Sequence, residues 1–163
     1  MIEPPDSSLF QTLYVQHQRM VLTLCRGFMK GDLELANDLT QDVFINVWNA
    51  LPSFRGQSSY KTWIYRITVN TCLLQLRREK KRSEVSLNEA VHGRADEPTS
   101  DAEQKLYQAI GELEEVDRLV IMLVLEEVSY PDIAEMLGIS ENNLRVKVHR
   151  ARIKLKERLQ NGK

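Results

Sequence analysis

The sequence predicts an all-α protein of two small helical domains joined by a flexible linker, the C-terminal one containing a helix-turn-helix. Three observations predict this. Apolar residues recur at helical spacing through both halves of the 163-residue chain. A polar stretch at 83–100, SEVSLNEAVHGRADEPTS, carries Gly93 and Pro98 and keeps no period, which suits a linker. Near the end, SYPDIAEMLGIS passes through a glycine turn into a basic helical pattern. The expected divisions are therefore 1–82, 83–100 and 101–163.

The Pro- and Ser-containing residues 1–8 are expected to fray. From about 9 to 30, Leu13, Met20, Leu24 and Phe28 mark one helical face, and Gly31-Asp32 supplies a stop and a cap. The next helix, about 33 to 51, places Leu35, Leu39, Val43, Val47 and Leu51 on one stripe, widened by Phe44 and Trp48. Its other side is polar and acidic: Asp32, Glu34, Asp38, Gln41 and Asp42. Pro52 ends it and the loop PSFRGQSS follows, where Gly56 permits a bend and Ser58 or Ser59 can cap a third helix.

That third helix runs to about 82. Trp63, Ile67 and Leu74, with Ile64 and Leu73, are its expected core contacts. Lys61, Arg66, Asn70, Arg77 and Arg78 remain for the outside. Aromatic residues beside cations next to a loop suit single-stranded DNA, whose unstacked bases sit on rings while the backbone meets positive charge. Trp63 and Tyr65 fit a plain core role as well.

After the linker, Leu106, Ile110 and Leu113 form one helix and VDRLVIMLVLEEV a strongly apolar second one. Pro131 suits the first turn of the next helix, whose inner face is Ile133, Ala134 and Leu137. Gly138 can take the left-handed conformation that ends it, and Ser140 can cap the helix that follows. Leu144, Val148, Ala151 and Leu155 mark the buried face of this last helix. Arg145, Lys147, His149, Arg150, Arg152, Lys154 and Lys156 cover the rest. A capped basic helix after a short helix and a glycine turn can enter a major groove.

A net charge of −1 looks wrong for a nucleic-acid binder, but the charge is segregated. Residues 60–82 hold seven cations against Glu79 alone, and the last helix is a second basic block. Acids collect at 32–42 and 112–135, which suggests a protein-facing surface apart from two nucleic-acid contacts. No run of eighteen apolar residues is present, so no membrane insertion is expected, and MIEPPDSSLF lacks the pattern of a signal peptide. Cys25 and Cys72 read as buried thiols of a reducing cytoplasm, and three scattered histidines make no metal set. No nucleophile–base pair or phosphate-cradling glycine loop appears, so neither catalysis nor a cofactor is expected.

Three blocks in order, DLTQDVFINVWNALPSFRG at 38–56, YKTWIYRITVN at 60–70 and SYPDIAEMLGIS…HRARIKLKERL at 129–159, resemble the extracytoplasmic-function group of the sigma-70 family of bacterial RNA polymerase sigma factors. The resemblance runs from about residue 9 to 159. It implies an N-terminal domain that holds core RNA polymerase and melts the −10 promoter element, and a C-terminal domain that reads the −35 element as duplex. Asp38, Gln41, Asp42, Asn46 and Trp48 match the segment that docks on the β′ coiled coil. The loop Phe54, Arg55, Gly56, Gln57, Ser58, Ser59 and Tyr60 matches the one that receives a flipped −10 base. Asn70 matches a position beside that pocket, and Lys61, Arg66, Arg77 and Arg78 would hold phosphates there.

In the last helix Arg145, Val146, His149 and Arg150 match positions facing the −35 groove, with Ser140, Asn142 and Asn143 at its start and Lys147 and Arg152 toward phosphates. Asn142-Asn143-Leu144 and Val146 depart from the commoner family pattern at this point. Core polymerase (through the β′ coiled coil and the β flap), promoter DNA and an anti-sigma factor are the implied partners. Two other readings compete: an operator-binding regulator with a sensing domain, and a helical scaffold. The acidic helix followed by a basic aromatic one has no use in the first, and the two basic faces have none in the second.

Overall fold

The computed structural model describes residues 6–85 and 100–161. Among these, seven α-helices account for the secondary structure apart from one short 3₁₀ turn: α1 (Ser7–Phe28), α2 (Leu33–Ala50), the turn Leu51–Ser53, α3 (Tyr60–Val85), α4 (Asp101–Gly111), α5 (Glu115–Leu125), α6 (Tyr130–Leu137) and α7 (Glu141–Asn161). None of them is long and apolar enough to cross a membrane.

The helix starts follow local chemistry. Asp6 caps α1 by accepting from the N–H groups of Ser8 and Leu9, so the helix begins inside the stretch expected to fray. Asp32 caps α2 through Leu35 N–H, Ser59 caps α3 through Thr62 N–H, Ser100 caps α4 and Ser129 caps α6. α3 continues to Val85, and Ser100 already belongs to the next helix, so 86–99 is the part of the linker stretch that lies outside the described residues.

The first three helices bury Leu13, Val21, Cys25, Phe28, Ala36, Leu39, Val43, Phe44, Val47, Ile64 and Cys72 together. Two expected core positions face outward instead. Leu35 and Leu74 are each 41% exposed. On α3 the inner stripe is Ile64, Thr68, Cys72 and Leu76, with Tyr65 and Val69 buried to one side, while Trp63, Ile67 and Leu73 are half-buried. The reason is that α3 packs on two neighbours rather than one, which turns Leu74 away from both.

Its second neighbour is the C-terminal half. Leu24, Tyr65 and Val69 share an apolar cluster with Ile110, Leu113, Val120, Met122, Leu123, Ile133, Leu144 and Val148, and Leu119 of α5 is buried among the side chains of α1–α3. The two domains are thus docked. Arg118 on α5 spans the seam: it is buried, and its guanidinium donates to Phe28 O at 2.9 Å and to Leu113 O at 2.8 Å. Phe28 is the last residue of α1, so its carbonyl is one that a helix leaves unpaired, and a cation there also meets the negative end of the helix dipole. Burial pulls the Arg118 guanidinium below its ordinary pKa, opposed by the charges of Glu115 and Glu79.

Gly27 makes close approach possible beside it, since a Cβ there would lie 2.3 Å from Met122 Sδ. At the far side of the seam Arg66 pairs with Glu135 of α6 at 2.8 Å, and that hydrogen bond and charge hold the Glu135 carboxyl below its ordinary pKa.

Replacing Arg118 by Met leaves two buried carbonyls without their charged donor and should lower unfolding stability by about 2–4 kcal/mol, read from the denaturant midpoint. The Glu135 carboxyl should titrate with a midpoint below 4.5, moving back toward it in Arg66→Gln, by carbon-detected NMR. Since the docked state carries the lower pKa, the contribution of this pair is present above the ordinary value and fades as pH falls through the depressed one.

Candidate nucleic-acid and polymerase interfaces

Three exposed surfaces collect the residues singled out in the sequence. The first is the loop between α2 and α3. Phe54 stacks on Tyr60 with ring centroids 4.3 Å apart and leans on Trp63 at 5.0 Å, forming an aromatic corner at the N-terminus of α3. Gly56 has φ 71°, a left-handed backbone, with open space where a Cβ would be; glycine serves the bend here, not a close contact. Arg55, Gly56, Gln57 and Ser59 are exposed and Ser58 is half-buried, its hydroxyl donating to Ser59 O. Ser59 is committed to the cap, accepting from Thr62 N–H at 3.1 Å.

Along α3, Arg66, Asn70 and Arg77 fall on one face by helical spacing, with Lys61 and Arg78 on other sides. Lys61, Asn70, Arg77 and Arg78 are exposed. Arg66 is engaged by Glu135, so the stripe starts under α6 and runs outward from the seam.

The second surface is α2. Asp38, Gln41 and Asp42 are exposed as expected. Asn46 is exposed too, but its amide donates to Thr71 Oγ1 at 3.0 Å and ties α2 to α3. Trp48 is half-buried, edge-on to Phe10 at 5.1 Å, in a group that includes Tyr14 and Phe44. Ile45, which no sequence expectation covers, is 57% exposed, and Leu35, expected in the core, faces outward with it. Leu35, Asp38, Asp42, Ile45 and Asn49 recur at alternating intervals of three and four, so α2 shows an outward stripe of acids interleaved with two aliphatics. The spacing of Ile45 from Asp38 and Asp42 is the sequence signal that places it on this stripe.

The third surface is α7 with the turn before it. Gly138 ends α6 in the left-handed conformation, φ 69°, and Ser140 accepts from Asn143 N–H at 3.1 Å to start α7. Leu144, Val148 and Ala151 point inward. Asn142, Arg145, Val146 and His149 share the outward face, with Asn143 and Arg150 adjacent and Arg152 on the opposite flank; all are exposed. Arg145 has only a long contact to Glu141, 3.6 Å. Lys147 is half-buried and lies 3.9 Å from Asp117, turned toward α5 rather than along the outer face. An outward Val146 amid hydrogen-bonding groups gives this face one apolar point, of the kind that meets a thymine methyl.

Among the described residues no group of three or more His, Cys, Asp or Glu is placed to hold a metal ion. Cys25 and Cys72 are buried free thiols.

Comparison with known proteins matches both halves. A family model described as Sigma-70 region 2 covers residues 13–82, and one described as Sigma-70, region 4 covers 103–155. The RNA polymerase sigma factor YlaC of Bacillus subtilis is 37% identical, over 78% of this chain and 79% of its own. The ECF RNA polymerase sigma-E factor of Escherichia coli K12 is 31% identical, over 98% of this chain and 91% of its own. Among solved structures, the sigma factor RpoE of Bartonella quintana, in complex with the anti-sigma factor NepR, superposes with a TM-score of 0.75 at 26% identity, over 94% of this chain and 98% of that one. With both regions matched in order and relatives similar along nearly the whole length, the chain belongs to the sigma-70 family of RNA polymerase sigma factors, in its extracytoplasmic-function group.

Proposed function

We propose that this chain directs core RNA polymerase to promoters by dividing the work between its two halves, residues 1–82 and 101–163. The observation that supports the division best is the separation of three chemically different exposed surfaces: an acidic–aliphatic helix, an aromatic corner with a basic stripe, and a capped basic helix. In this reading the α2 stripe meets the β′ coiled coil. Asp38, Gln41 and Asp42 set the approach by charge, and Ile45 and Leu35 supply the apolar contact that slows release. Asn46 and Trp48 act indirectly, by holding α2 against α3 and α1.

The Phe54–Tyr60 loop and Asn70 take an unstacked base of the opened −10 element. Capturing that base offsets part of the cost of melting, while Arg66, Arg77 and Arg78 hold phosphates without reading sequence. On α7, Arg145, Val146 and His149 read base edges of the −35 duplex and Arg150 and Arg152 grip its backbone. Ser140 serves as the cap that aims this helix, and Lys147 steadies it on α5. The chain needs no catalytic group in this role, and its place of work is the cytoplasm, with the polymerase. A partner that covers these surfaces, of the anti-sigma kind named in the RpoE–NepR and CnrH–CnrY structures, is part of the same proposal.

Transcription reconstituted with core polymerase on a library of promoter fragments tests it. Start sites should appear only with this protein, and Asn70→Ala or Arg145→Ala should each lower their yield by roughly 5- to 100-fold, the loss of one good base contact. Duplex binding without polymerase and no new start sites would favour an operator-binding regulator. Ile45→Asp should weaken polymerase binding while leaving the affinity of the free chain for duplex DNA unchanged, measured side by side.

A further inference from the structure

On the outer side of α3 one residue breaks the chemistry of its surroundings. Trp63, Asn70, Leu74, Arg77 and Lys81 recur at helical spacing and form one stripe along the helix. The stripe begins at the aromatic corner with the half-buried Trp63 and is exposed from Asn70 onward. Leu74 stands in the middle of it, 41% exposed, with Arg78 one turn further on at its flank. Its neighbour Leu73 packs against the apolar clusters on both sides of α3, so the helix has its core contacts without Leu74. A single exposed leucine is ordinary on a protein surface. What distinguishes this one is its place, in line between an amide assigned to an unstacked base and cations assigned to phosphates.

The chemistry of duplex DNA leaves one target for it. An aliphatic side chain neither donates nor accepts a hydrogen bond, so pressing it on phosphates or polar base edges costs their hydration and returns nothing. The major groove carries one apolar group, the C5 methyl of thymine. Leu74 is four residues beyond Asn70, about 6 Å along the axis at 1.5 Å per residue. Successive bases along a strand rise about 3.4 Å, so the leucine stands roughly two pairs from the base that Asn70 receives. Paired DNA has twice the charge density of a single strand, which sets it against the cation-rich end of the stripe. A comparable arrangement occurs on α7, where Val146, 47% exposed, stands among Asn142, Arg145 and His149.

We propose that Leu74 is a specificity-determining residue of the α3 surface, reading the methyl group of a thymine in the paired DNA about two base pairs upstream of the captured base. This role rests on the sigma-factor reading of that surface. It adds a point of sequence readout in duplex beside the opened element, where Arg77 and Arg78 contribute affinity alone.

Deoxyuridine tests it, because it lacks only that methyl and keeps every hydrogen-bonding group of thymidine. Initiation is measured at limiting protein with core polymerase on the promoters recovered from the library, with each thymine just upstream of the opened element replaced in turn on either strand. With wild-type protein one replacement should lower initiation about fourfold, the value of one methyl-sized group taken out of an apolar contact. With Leu74→Ala, initiation should be low on the thymine template and no lower on the deoxyuridine one, so that the two changes do not add. Val146→Ala should keep the fourfold difference between the same two templates, which separates a local contact from a general loss of activity. Position 74 is exposed and alanine favours a helix at least as well as leucine, so Leu74→Ala should keep its helix content by circular dichroism.

Promoters without a thymine in that window, or with none sensitive to deoxyuridine, would overturn the assignment. So would a sensitivity that persists undiminished in Leu74→Ala. Weaker binding of Leu74→Ala to core polymerase without DNA would move Leu74 to the polymerase-facing surface and overturn it as well. Wild-type protein that initiates nowhere with its cognate polymerase removes the sigma-factor reading and this role together, whereas normal initiation with additive changes removes this role alone.

Discussion

A buried guanidinium bonded to two carbonyls organises this molecule. Arg118 sits on α5, and one of its acceptors is the terminal carbonyl of α1, in the other half of the chain. Burying a charge without partners is prohibitively costly, so the position is tolerable only with α1 docked against α5. The same contact closes a helix end that would otherwise need water or a glycine cap. Around it Gly27 admits Met122 and Leu119 enters the core of α1–α3. The two halves therefore share their apolar interior as well as their surface.

That sharing explains what is left outside. With Tyr65 and Val69 covered by the C-terminal half and Ile64 and Cys72 by α1 and α2, α3 has two buried sides. Its remaining exposure is polar or basic apart from Leu74, and it begins at the aromatic corner of Phe54, Tyr60 and Trp63. α2 has only α1 and α3 to pack against, so its far side stays open and carries acids with Leu35 and Ile45 between them. On α7 a narrow inner stripe suffices to anchor the helix on α5 and α6, leaving most of its circumference to cations. The division into surfaces of distinct chemistry follows from how many neighbours each helix has.

Rigidity is distributed to match. α7 is started by a serine cap and preceded by a glycine in its preferred left-handed state, both local devices independent of the other domain. The turn between α1 and α2, left-handed at Lys30, combines local and distant support: Lys30 and Gly31 donate to the carbonyls of Gly27 and Arg26, while Tyr107 and Gly111 pack against the turn from the other half of the chain. Strain at such a position is stable only while its surroundings impose it.

The number and order of helices, the helix-turn-helix and the caps at Asp32, Ser59 and Ser140 were legible in the sequence, because helical period, cap residues and glycine turns act over a few residues, whereas the caps at Asp6, Ser100 and Ser129 were not. Asp32, Gly138 and Ser140 do in the fold what their chemistry dictates anywhere. The outward acids of α2 and the outer face of α7 were legible for the same reason. What local pattern misassigned was which apolar residues are inside: Leu35 and Leu74 fit a helical stripe as well as their neighbours, and only the count of packing partners decides between them. The hydrogen bond of Asn46 to Thr71, the edge-on contact of Trp48 with Phe10 and the pairing of Arg66 with Glu135 join residues that no local spacing connects. The sequence by itself determined the helices and the chemistry of their faces, since both arise from near neighbours along the chain. Tertiary structure alone decided that the two domains dock, because that outcome depends on Arg118 reaching the end of a helix ninety residues earlier.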